Sequence, residues 1–293
     1  VHAKFCFGKS GVSRCERTAV NPGLIACGRM TEPPLRAVPA HTERWHEHWL
    51  SPAGAGAAAD ASSSLAAGHS VLLAPSFATS AECDEMMAAG RRGGKQKVLK
   101  RGLSQVAVER LWSDLRSKRT RLTVAEDLDE AAGVLCQTLL RRLLDFIEAQ
   151  LPVLAATLLC GRATLSEVDL ATDYSFADAE PAVNIYGVGG QFKPHEDKQR
   201  LTILVPLSDN AKYEGGGTAF WSEEARGPGR SLANQGGPPT CVLQPPAGTA
   251  LLFGGEVTHG ALPVTSGERI VFVASFTPKV RTEEEMKQAE EDL

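Results

Sequence analysis

The residues best suited to chemistry in this 293-residue chain are His195, Asp197 and His259, with Arg269 ten positions after the second histidine. Two imidazoles and one carboxylate are the ligand set of a mononuclear ferrous site, which leaves one face of the metal open to other ligands. His195 and Asp197 are two positions apart, so on a β-strand both side chains point to the same side of the sheet. The pattern therefore predicts an iron site formed by these three side chains.

Arg269 suits a ligand that would share this metal. It opens the β-rich segment 270–276, and His259 follows the apolar, strand-like segment 249–253. A guanidinium is planar and always charged, so it can hold a carboxylate through two charge-assisted hydrogen bonds. The sequence therefore predicts a dicarboxylate cosubstrate whose far carboxylate is bound by Arg269.

The segment 182–278 resembles the Fe(II)/2-oxoglutarate-dependent oxygenases, in particular their prolyl and lysyl hydroxylase branch. The residues that carry this resemblance are Asn184-Ile185-Tyr186, the turn 187–190, Phe192 to Asp197, Leu201 to Leu207, Tyr213 to Phe220 and His259 to Arg269. The segments 213–217 and 259–269 are most similar to lysyl hydroxylase catalytic domains. A fainter similarity to the start of prolyl hydroxylase domains covers residues 71–83.

The resemblance implies a dioxygenase, an oxidoreductase that uses Fe(II), 2-oxoglutarate and O2 and has ascorbate as its reductant. It implies hydroxylation of a peptidyl prolyl- or lysyl-type substrate, with succinate and CO2 as coproducts. It also implies that Arg269 anchors the cosubstrate, that Tyr186 lies near it and that Thr202 adds a hydroxyl donor. Ordinary packing of a strand aromatic is the alternative for Tyr186. An intact Asp197 favours oxygenation, since halogenating relatives have a small residue there.

Three alternatives differ in substrate or in class. A small-molecule or free amino-acid hydroxylase would share every site residue. An AlkB-type nucleic-acid demethylase would also contain Asn184-Ile185-Tyr186, but Ser275 stands where that branch has a second arginine, and no strongly basic, aromatic-rich lid is present. A non-catalytic β-helix binding module would lack a metal ligand or the anchor, and all four residues are present.

Composition limits the partners. The net charge of −4 gives no reason to expect a polyanion, and no apolar run approaches the ~20 residues of a membrane helix. We therefore expect a peptide, protein or amino-acid-like substrate, no nucleic acid and no membrane; the oligomeric state is not indicated.

The seven cysteines form no C-x-x-C pair, and no signal peptide is visible, which favours reduced thiols in the cytoplasm. An organelle is the alternative, because the chain begins with Val1 and residues 1–29 are basic.

From residue 182 onward the chain consists of short β-rich segments separated by Gly and Pro turns, which is typical of a double sheet or jelly roll. We expect a mainly β fold with flanking helices (α+β), and the resemblance implies a double-stranded β-helix core with N-terminal helices packed on the sheet. The predicted division is a partly disordered leader and linker (1–68), a helical support region (69–180), the oxygenase core (181–280) and a short acidic helix (281–293).

Local patterns predict several elements outside the core. Trp45 and Trp49 have the spacing of one helix face, and a helix beginning at Thr79 or Ser80 should stop at Gly90, followed by a basic loop over 93–100. Residues 106–115 are compatible with a further helix. The segment 223–240 is rich in Gly and Pro and is either a linker or a loop that covers the substrate.

A long helix should follow residue 123. Thr123 and Glu126 have the spacing of a capping box, and a stripe with helical spacing runs toward Pro152, where the helix should end or kink. The members of this predicted stripe are Val134, Leu135, Leu139, Leu143, Ile147 and Leu151. We expect this helix to pack on one face of the downstream sheet.

Overall fold

The computed structural model describes residues 45–50, 60–99, 119–222 and 237–279. The α-helices within these ranges are α1 (Ala61–Ala66), α2 (Ser80–Leu99), α3 (Val124–Asp127), α4 (Glu130–Gln150) and α5 (Pro152–Ala156). The strands are β1 (His46–Trp49), β2 (Ser70–Ala74), β3 (Arg119–Thr123), β4 (Tyr174–Phe176), β5 (Ala182–Tyr186), β6 (Phe192–His195), β7 (Leu201–Pro206), β8 (Tyr213–Gly215), β9 (Thr218–Trp221), β10 (Cys241–Leu243), β11 (Ala250–Phe253), β12 (Thr258–Ala261), β13 (Val264–Gly267) and β14 (Arg269–Pro278). No helix among the described residues is long and apolar enough to cross a membrane.

Two antiparallel sheets face each other and form a double-stranded β-helix. The larger sheet has the order β1-β2-β11-β7-β14-β5-β3, with β4 also paired to β14, and the smaller has the order β10-β9-β12-β6. Strands β8 and β13 form a separate pair. The expected fold class is confirmed. The larger sheet includes β1 to β4, which all precede residue 181, so the sheet extends beyond the predicted core segment; the domain division itself stays a prediction.

Strand β14 shows how the sequence builds two layers. Ile270, Phe272, Ala274 and Phe276 alternate with Arg269, Val271, Val273 and Ser275, and all eight are buried. The first set joins the core between the larger sheet and the helices, and Val271 joins the core between the two sheets. Because both faces of this central strand are covered, its sequence is apolar almost throughout. The two polar residues among these eight, Arg269 and Ser275, lie on the same face of the strand as Val271.

Helix α4 supplies the layer behind the sheet. Leu135, Leu139, Leu143 and Ile147 are buried, and the helix ends before Pro152, as predicted. Val134 was wrongly included in the apolar stripe, because it lies 62% exposed on the opposite side of the helix.

The predicted capping box at Thr123 is wrong, since the Thr123 side chain makes no cap hydrogen bond. Asp129 caps α4 instead by accepting a hydrogen bond from the Ala132 amide (3.1 Å). The capping box of the described chain lies at Thr79 and Glu82. There the Thr79 amide donates to the Glu82 carboxylate (2.8 Å), and the Glu82 amide donates to the Thr79 hydroxyl (3.2 Å).

The prediction of a helix at Trp45 and Trp49 is also wrong. Residues His46–Trp49 form β1 at the edge of the larger sheet, paired with β2. Positions i and i+4 lie on the same side of a strand as well as of a helix, so the tryptophan spacing did not distinguish the two. Both tryptophans are buried in the strand arrangement.

Helix α2 does not stop at Gly90 but continues to Leu99, so the basic loop predicted over 93–100 is wrong as well. A Cβ atom at Gly90 would lie 3.1 Å from Val183, and one at Gly93 would lie 2.2 Å from the Asp127 carbonyl oxygen. These glycines allow close packing of the helix on β5 and α3, and this packing overrides their low helix propensity. The predicted helix at 106–115, the C-terminal helix at 281–293 and most of the segment 223–240 lie outside the described residues.

Candidate metal centre

The structure brings His195, Asp197 and His259 together. His195 ends β6 and His259 lies in β12, and these two residues are directly paired across the strands. Asp197 follows in the turn after β6. One potential ligand atom from each of the three residues lies within 4.8 Å of the others. The distance from His195 Nε2 to Asp197 Oδ1 is 3.4 Å, and that from His259 Nε2 to Asp197 Oδ2 is 3.5 Å.

The backbone orients both imidazoles in the same way. The Nδ1 atom of His195 lies 2.9 Å from the Lys193 carbonyl oxygen, and that of His259 lies 3.0 Å from the Val257 carbonyl oxygen. A carbonyl only accepts, so each Nδ1 must carry the proton, and each Nε2 has its lone pair free in the neutral ring. This arrangement is typical of histidines that bind a metal through Nε2.

The charge states also suit a cation. Burial, followed by the charge of His195, lowers the pKa of His259 to about 4, although Asp197 partly opposes the change. Burial would raise the pKa of Asp197, but the hydrogen bond from His195 and the charge of His259, each in its protonated form, together with the Thr202 hydroxyl outweigh it, so the pKa is lowered. At neutral pH His259 is therefore an uncharged donor beside a negative carboxylate, which is what a divalent cation requires.

The turn that carries Asp197 is clamped on two sides. Lys198 has a left-handed backbone (φ 57°), and its amide donates to the Gly255 carbonyl oxygen (3.0 Å). On the other side, the Thr277 hydroxyl donates to the Gln199 side chain (2.6 Å) and accepts from the Arg200 amide (2.9 Å). The position of the Asp197 carboxylate therefore depends on close contact between this turn and Gly255.

Replacing Gly255 with alanine is expected to displace this turn and weaken metal binding by about tenfold or more, a typical effect of disturbing the support of a ligand. The added Cβ would lie 1.9 Å from the Gln199 carbonyl oxygen, so the backbone has to move. Titration with Co(II) measures the affinity. Gly133→Ala is the matched control, because a Cβ there meets nothing within 4 Å and lies in helix α4. Equal affinities in the two variants would show that the clamp has no role.

A single pocket connects the three residues to Arg269. Arg269 is only 2% exposed, and its Nη2 donates to the Thr218 hydroxyl (2.8 Å). Its Nε has no hydrogen-bond partner among the described residues. Tyr186 lies opposite Arg269 on β5, with its ring centre 5.5 Å from the guanidinium carbon. A buried cation with an unused donor fits a bound anion.

The glycine run 215–217 leaves room for the side chains of Arg269 and Tyr213. Gly216 has φ 68°, and a Cβ there would lie 3.2 Å from Arg269 Cδ and 3.3 Å from the Tyr213 ring. A side chain at this position would therefore crowd both the guanidinium stem and the aromatic ring beside it. The glycines allow the chain to pass closely over the arginine.

Residues 181–276 match the sequence profile described as the 2OG-Fe(II) oxygenase superfamily, where 2OG is 2-oxoglutarate. This part of the chain is therefore similar to a 2OG-Fe(II) oxygenase domain. The expected resemblance and enzyme class are confirmed at this level. The matched residues include all of the proposed metal ligands and Arg269. No curated protein matches the sequence.

Several solved structures are similar to this chain. The viral collagen prolyl hydroxylase of Paramecium Bursaria Chlorella virus-1, in complex with 2OG, is 17% identical, with coverage of 74% of this chain and 99% of that one and a TM-score of 0.42. HygX from Streptomyces hygroscopicus, with nickel and 2-oxoglutarate bound, is 16% identical (73% and 84% coverage, TM-score 0.41). A Pseudomonas putida prolyl-4-hydroxylase is 16% identical (54% and 70% coverage, TM-score 0.33).

Four further residues line or support the pocket of the oxygenase, although sequence reasoning gave them no role there. Asn184 Oδ1 is buried without a hydrogen-bond partner among the described residues, and Thr218 holds Arg269. Arg121 and Glu180 form a mostly buried ion pair (2.5 Å) on the same pocket wall. Asn184 was noted only as part of a motif, and its inward direction could have been inferred from its position two residues before Tyr186 on one strand. No spacing or motif in the sequence indicated that Arg121 and Glu180 would lie at the pocket.

Proposed function

We propose that this oxygenase uses Fe(II), 2-oxoglutarate and O2 to hydroxylate a peptidyl prolyl- or lysyl-type substrate. The observation that carries the proposal is that His195, Asp197, His259 and the buried Arg269 all line one pocket. Metal ligands and an anion anchor within the same pocket match the needs of a cosubstrate that binds both.

The donor set fits Fe(II). His195 and His259 would bind it through Nε2 and Asp197 through one carboxylate oxygen, the two-histidine, one-carboxylate set of non-haem iron oxygenases. When bound, the iron, with 2-oxoglutarate and O2, supplies the oxidising chemistry that adds one oxygen atom to the substrate and yields succinate and CO2. We include ascorbate as the reductant in this proposal.

The pocket also fits the cosubstrate. The unpartnered Nε and the neighbouring guanidinium nitrogens of Arg269 would bind the far carboxylate of 2-oxoglutarate, and Tyr186 lies beside them. The buried Asn184 side chain offers a further polar contact. The apolar side chains of Leu204, Val271 and Val273 line the same pocket and limit the access of water.

The peptidyl substrate is proposed from the resemblance of 213–220 and 259–269 to lysyl hydroxylase catalytic domains and of 71–83 to prolyl hydroxylase domains. In this proposal the segment 223–240 covers the bound peptide. Its residues 223–236 lie outside the described part of the chain, so the covering role stays a prediction. The small-molecule or free amino-acid hydroxylase differs from this proposal only in its substrate.

A substrate screen tests the proposal. The full chain, supplied with Fe(II), 2-oxoglutarate and ascorbate, is incubated with proline-rich peptides, lysine-containing peptides and free amino acids. We expect a peptide to gain the mass of one oxygen atom, with one succinate formed for each modified molecule, and Asp197→Ala to give neither product. Oxygen gain confined to free amino acids or metabolites would replace the peptidyl proposal with the small-molecule alternative.

A further inference from the structure

We propose that Thr202 and Ser275 are positioning residues that fix the orientation of the Asp197 carboxylate and leave its Oδ1 atom to bind the metal. This inference rests on the proposed function, since it assumes that Asp197 is a metal ligand. It assigns to Thr202 an action on the ligand, whereas the resemblance implies a direct contact with the cosubstrate.

The contacts are short and lie inside the protein. The Thr202 hydroxyl oxygen is 2.7 Å from Asp197 Oδ2 and 3.1 Å from the Ser275 hydroxyl oxygen. Thr202 and Ser275 face each other across β7 and β14, and both are fully buried. Both hydroxyls are shielded from bulk solvent, so solvent does not compete for their contacts with each other and with Asp197.

Thr202 is the hydrogen-bond donor in its contact with Asp197. Thr202 has a single hydroxyl proton, and the ionised Asp197 carboxylate can only accept, so the proton of Thr202 points to Oδ2. The Thr202 hydroxyl is also the donor in the longer contact with the Ser275 oxygen, so its proton is shared between the two, with the shorter bond to the charged Asp197 oxygen. As the acceptor in the longer contact, Ser275 helps to hold the Thr202 hydroxyl in its position between β7 and β14.

Ser275 is itself fixed in place. Its backbone amide donates to Glu180 Oε2 (2.5 Å), and Oε1 of the same carboxylate is paired with Arg121 (2.5 Å). The buried ion pair therefore anchors the strand position from which the Ser275 hydroxyl acts. This gives the Arg121–Glu180 pair a structural role behind the metal ligand.

The hydrogen bond from Thr202 makes the two oxygens of the Asp197 carboxylate different. Each oxygen lies near one imidazole, Oδ1 at 3.4 Å from His195 Nε2 and Oδ2 at 3.5 Å from His259 Nε2, but only Oδ2 accepts the charge-assisted hydrogen bond from Thr202. Without the Thr202 proton, the carboxylate could rotate about its terminal bond and would leave a charged oxygen without its donor in a side chain that is only 9% exposed. We therefore expect metal affinity, rather than folding alone, to depend on the Thr202 hydroxyl.

Co(II) titration of the full chain without 2-oxoglutarate tests the inference. Thr202→Val keeps the shape and removes the hydroxyl, and we expect it to weaken Co(II) binding by about 10- to 100-fold. Thr202→Ser should restore most of the affinity, because it returns the donor. Ser275→Ala should have a smaller effect, and Thr202→Val with Ser275→Ala should be no weaker than Thr202→Val alone, because the serine acts through the threonine. Thr138→Val, on the exposed side of α4, should bind as the wild type does.

The outcomes separate this inference from the proposed function. Wild-type Co(II) affinity in Thr202→Val, together with its loss in Asp197→Ala, would overturn the positioning role and leave the metal site intact. Equal affinity in the wild type and in Asp197→Ala would overturn both. Unchanged Co(II) affinity with weakened 2-oxoglutarate binding in Thr202→Val would assign the hydroxyl to the cosubstrate and contradict our inference. If Thr202→Val does not fold, Ser275→Ala decides, because wild-type affinity in that variant contradicts the chain of hydrogen bonds.

Discussion

Replacing His259 with alanine is expected to abolish stoichiometric metal binding and to lower turnover at least about a thousandfold, equivalent to about 4 kcal/mol. The imidazole is one of the three proposed ligands, and its Nε2 lies 3.5 Å from Asp197 Oδ2. Nothing else in the described pocket offers a third nitrogen or carboxylate donor at this distance, since the metal-ligand group there consists of His195, Asp197 and His259. Two remaining ligands would hold the ion too weakly for catalysis.

The measurement is the metal content of the purified variant together with succinate formation. His259 also packs against Phe253, with ring centres 4.6 Å apart, so its loss should cost about 2–4 kcal/mol of unfolding free energy. Asp197→Ala removes a ligand with less loss of packing and should show the same metal defect. His46→Ala, in the edge strand β1, is the matched histidine control. Stoichiometric iron and wild-type turnover in His259→Ala would end the assignment.

Arg269→Ala is expected to weaken 2-oxoglutarate binding by roughly 30- to 1000-fold, or about 2–4 kcal/mol. The guanidinium is buried, and its unpartnered Nε is available to a carboxylate. Arg269→Lys should give an intermediate loss, because it keeps the charge but cannot form the paired hydrogen bonds. Metal affinity in the absence of 2-oxoglutarate should stay near the wild-type value in both variants.

Equilibrium binding of 2-oxoglutarate to the metal-loaded protein without O2 measures this effect. Arg92→Ala is a suitable control, since Arg92 forms a surface ion pair with Asp129. A wild-type affinity in Arg269→Ala would place the anchor elsewhere in the pocket. A parallel loss of metal and cosubstrate binding would point to damage of the fold instead.

The sequence indicated four of the residues that the structure brings into one pocket, namely His195, Asp197, His259 and Arg269. The segments around His259 and Arg269 have the composition of strands, so local periodicity indicated where they lie, whereas Asp197 lies in the turn after β6 and not on the same strand as His195. The mainly β architecture followed from the same alternation together with the resemblance. These features depend on neighbours in the sequence or on motifs, and both are visible without a structure.

Features that depend on pairing between distant segments could not be predicted. The Thr202 hydroxyl contacts Ser275 only because β7 pairs with β14 in a register that places the two residues opposite each other. Gly90 continues a helix because β5 packs closely on it, and propensity alone indicated a stop. Similarly, the spacing of Trp45 and Trp49 fits two periodicities, and pairing with β2 selects the strand.

Succinate formation from 2-oxoglutarate tests the central claim most directly. The wild-type chain is incubated with Fe(II), O2 and ascorbate, with and without the peptides of the screen, beside Asp197→Ala under the same conditions. We predict succinate and CO2 in equal amounts from the wild type, dependent on added Fe(II) and O2 and absent in Asp197→Ala. Equal rates in the two proteins, or no succinate from the iron-loaded wild type with any peptide or amino acid, would contradict the proposal.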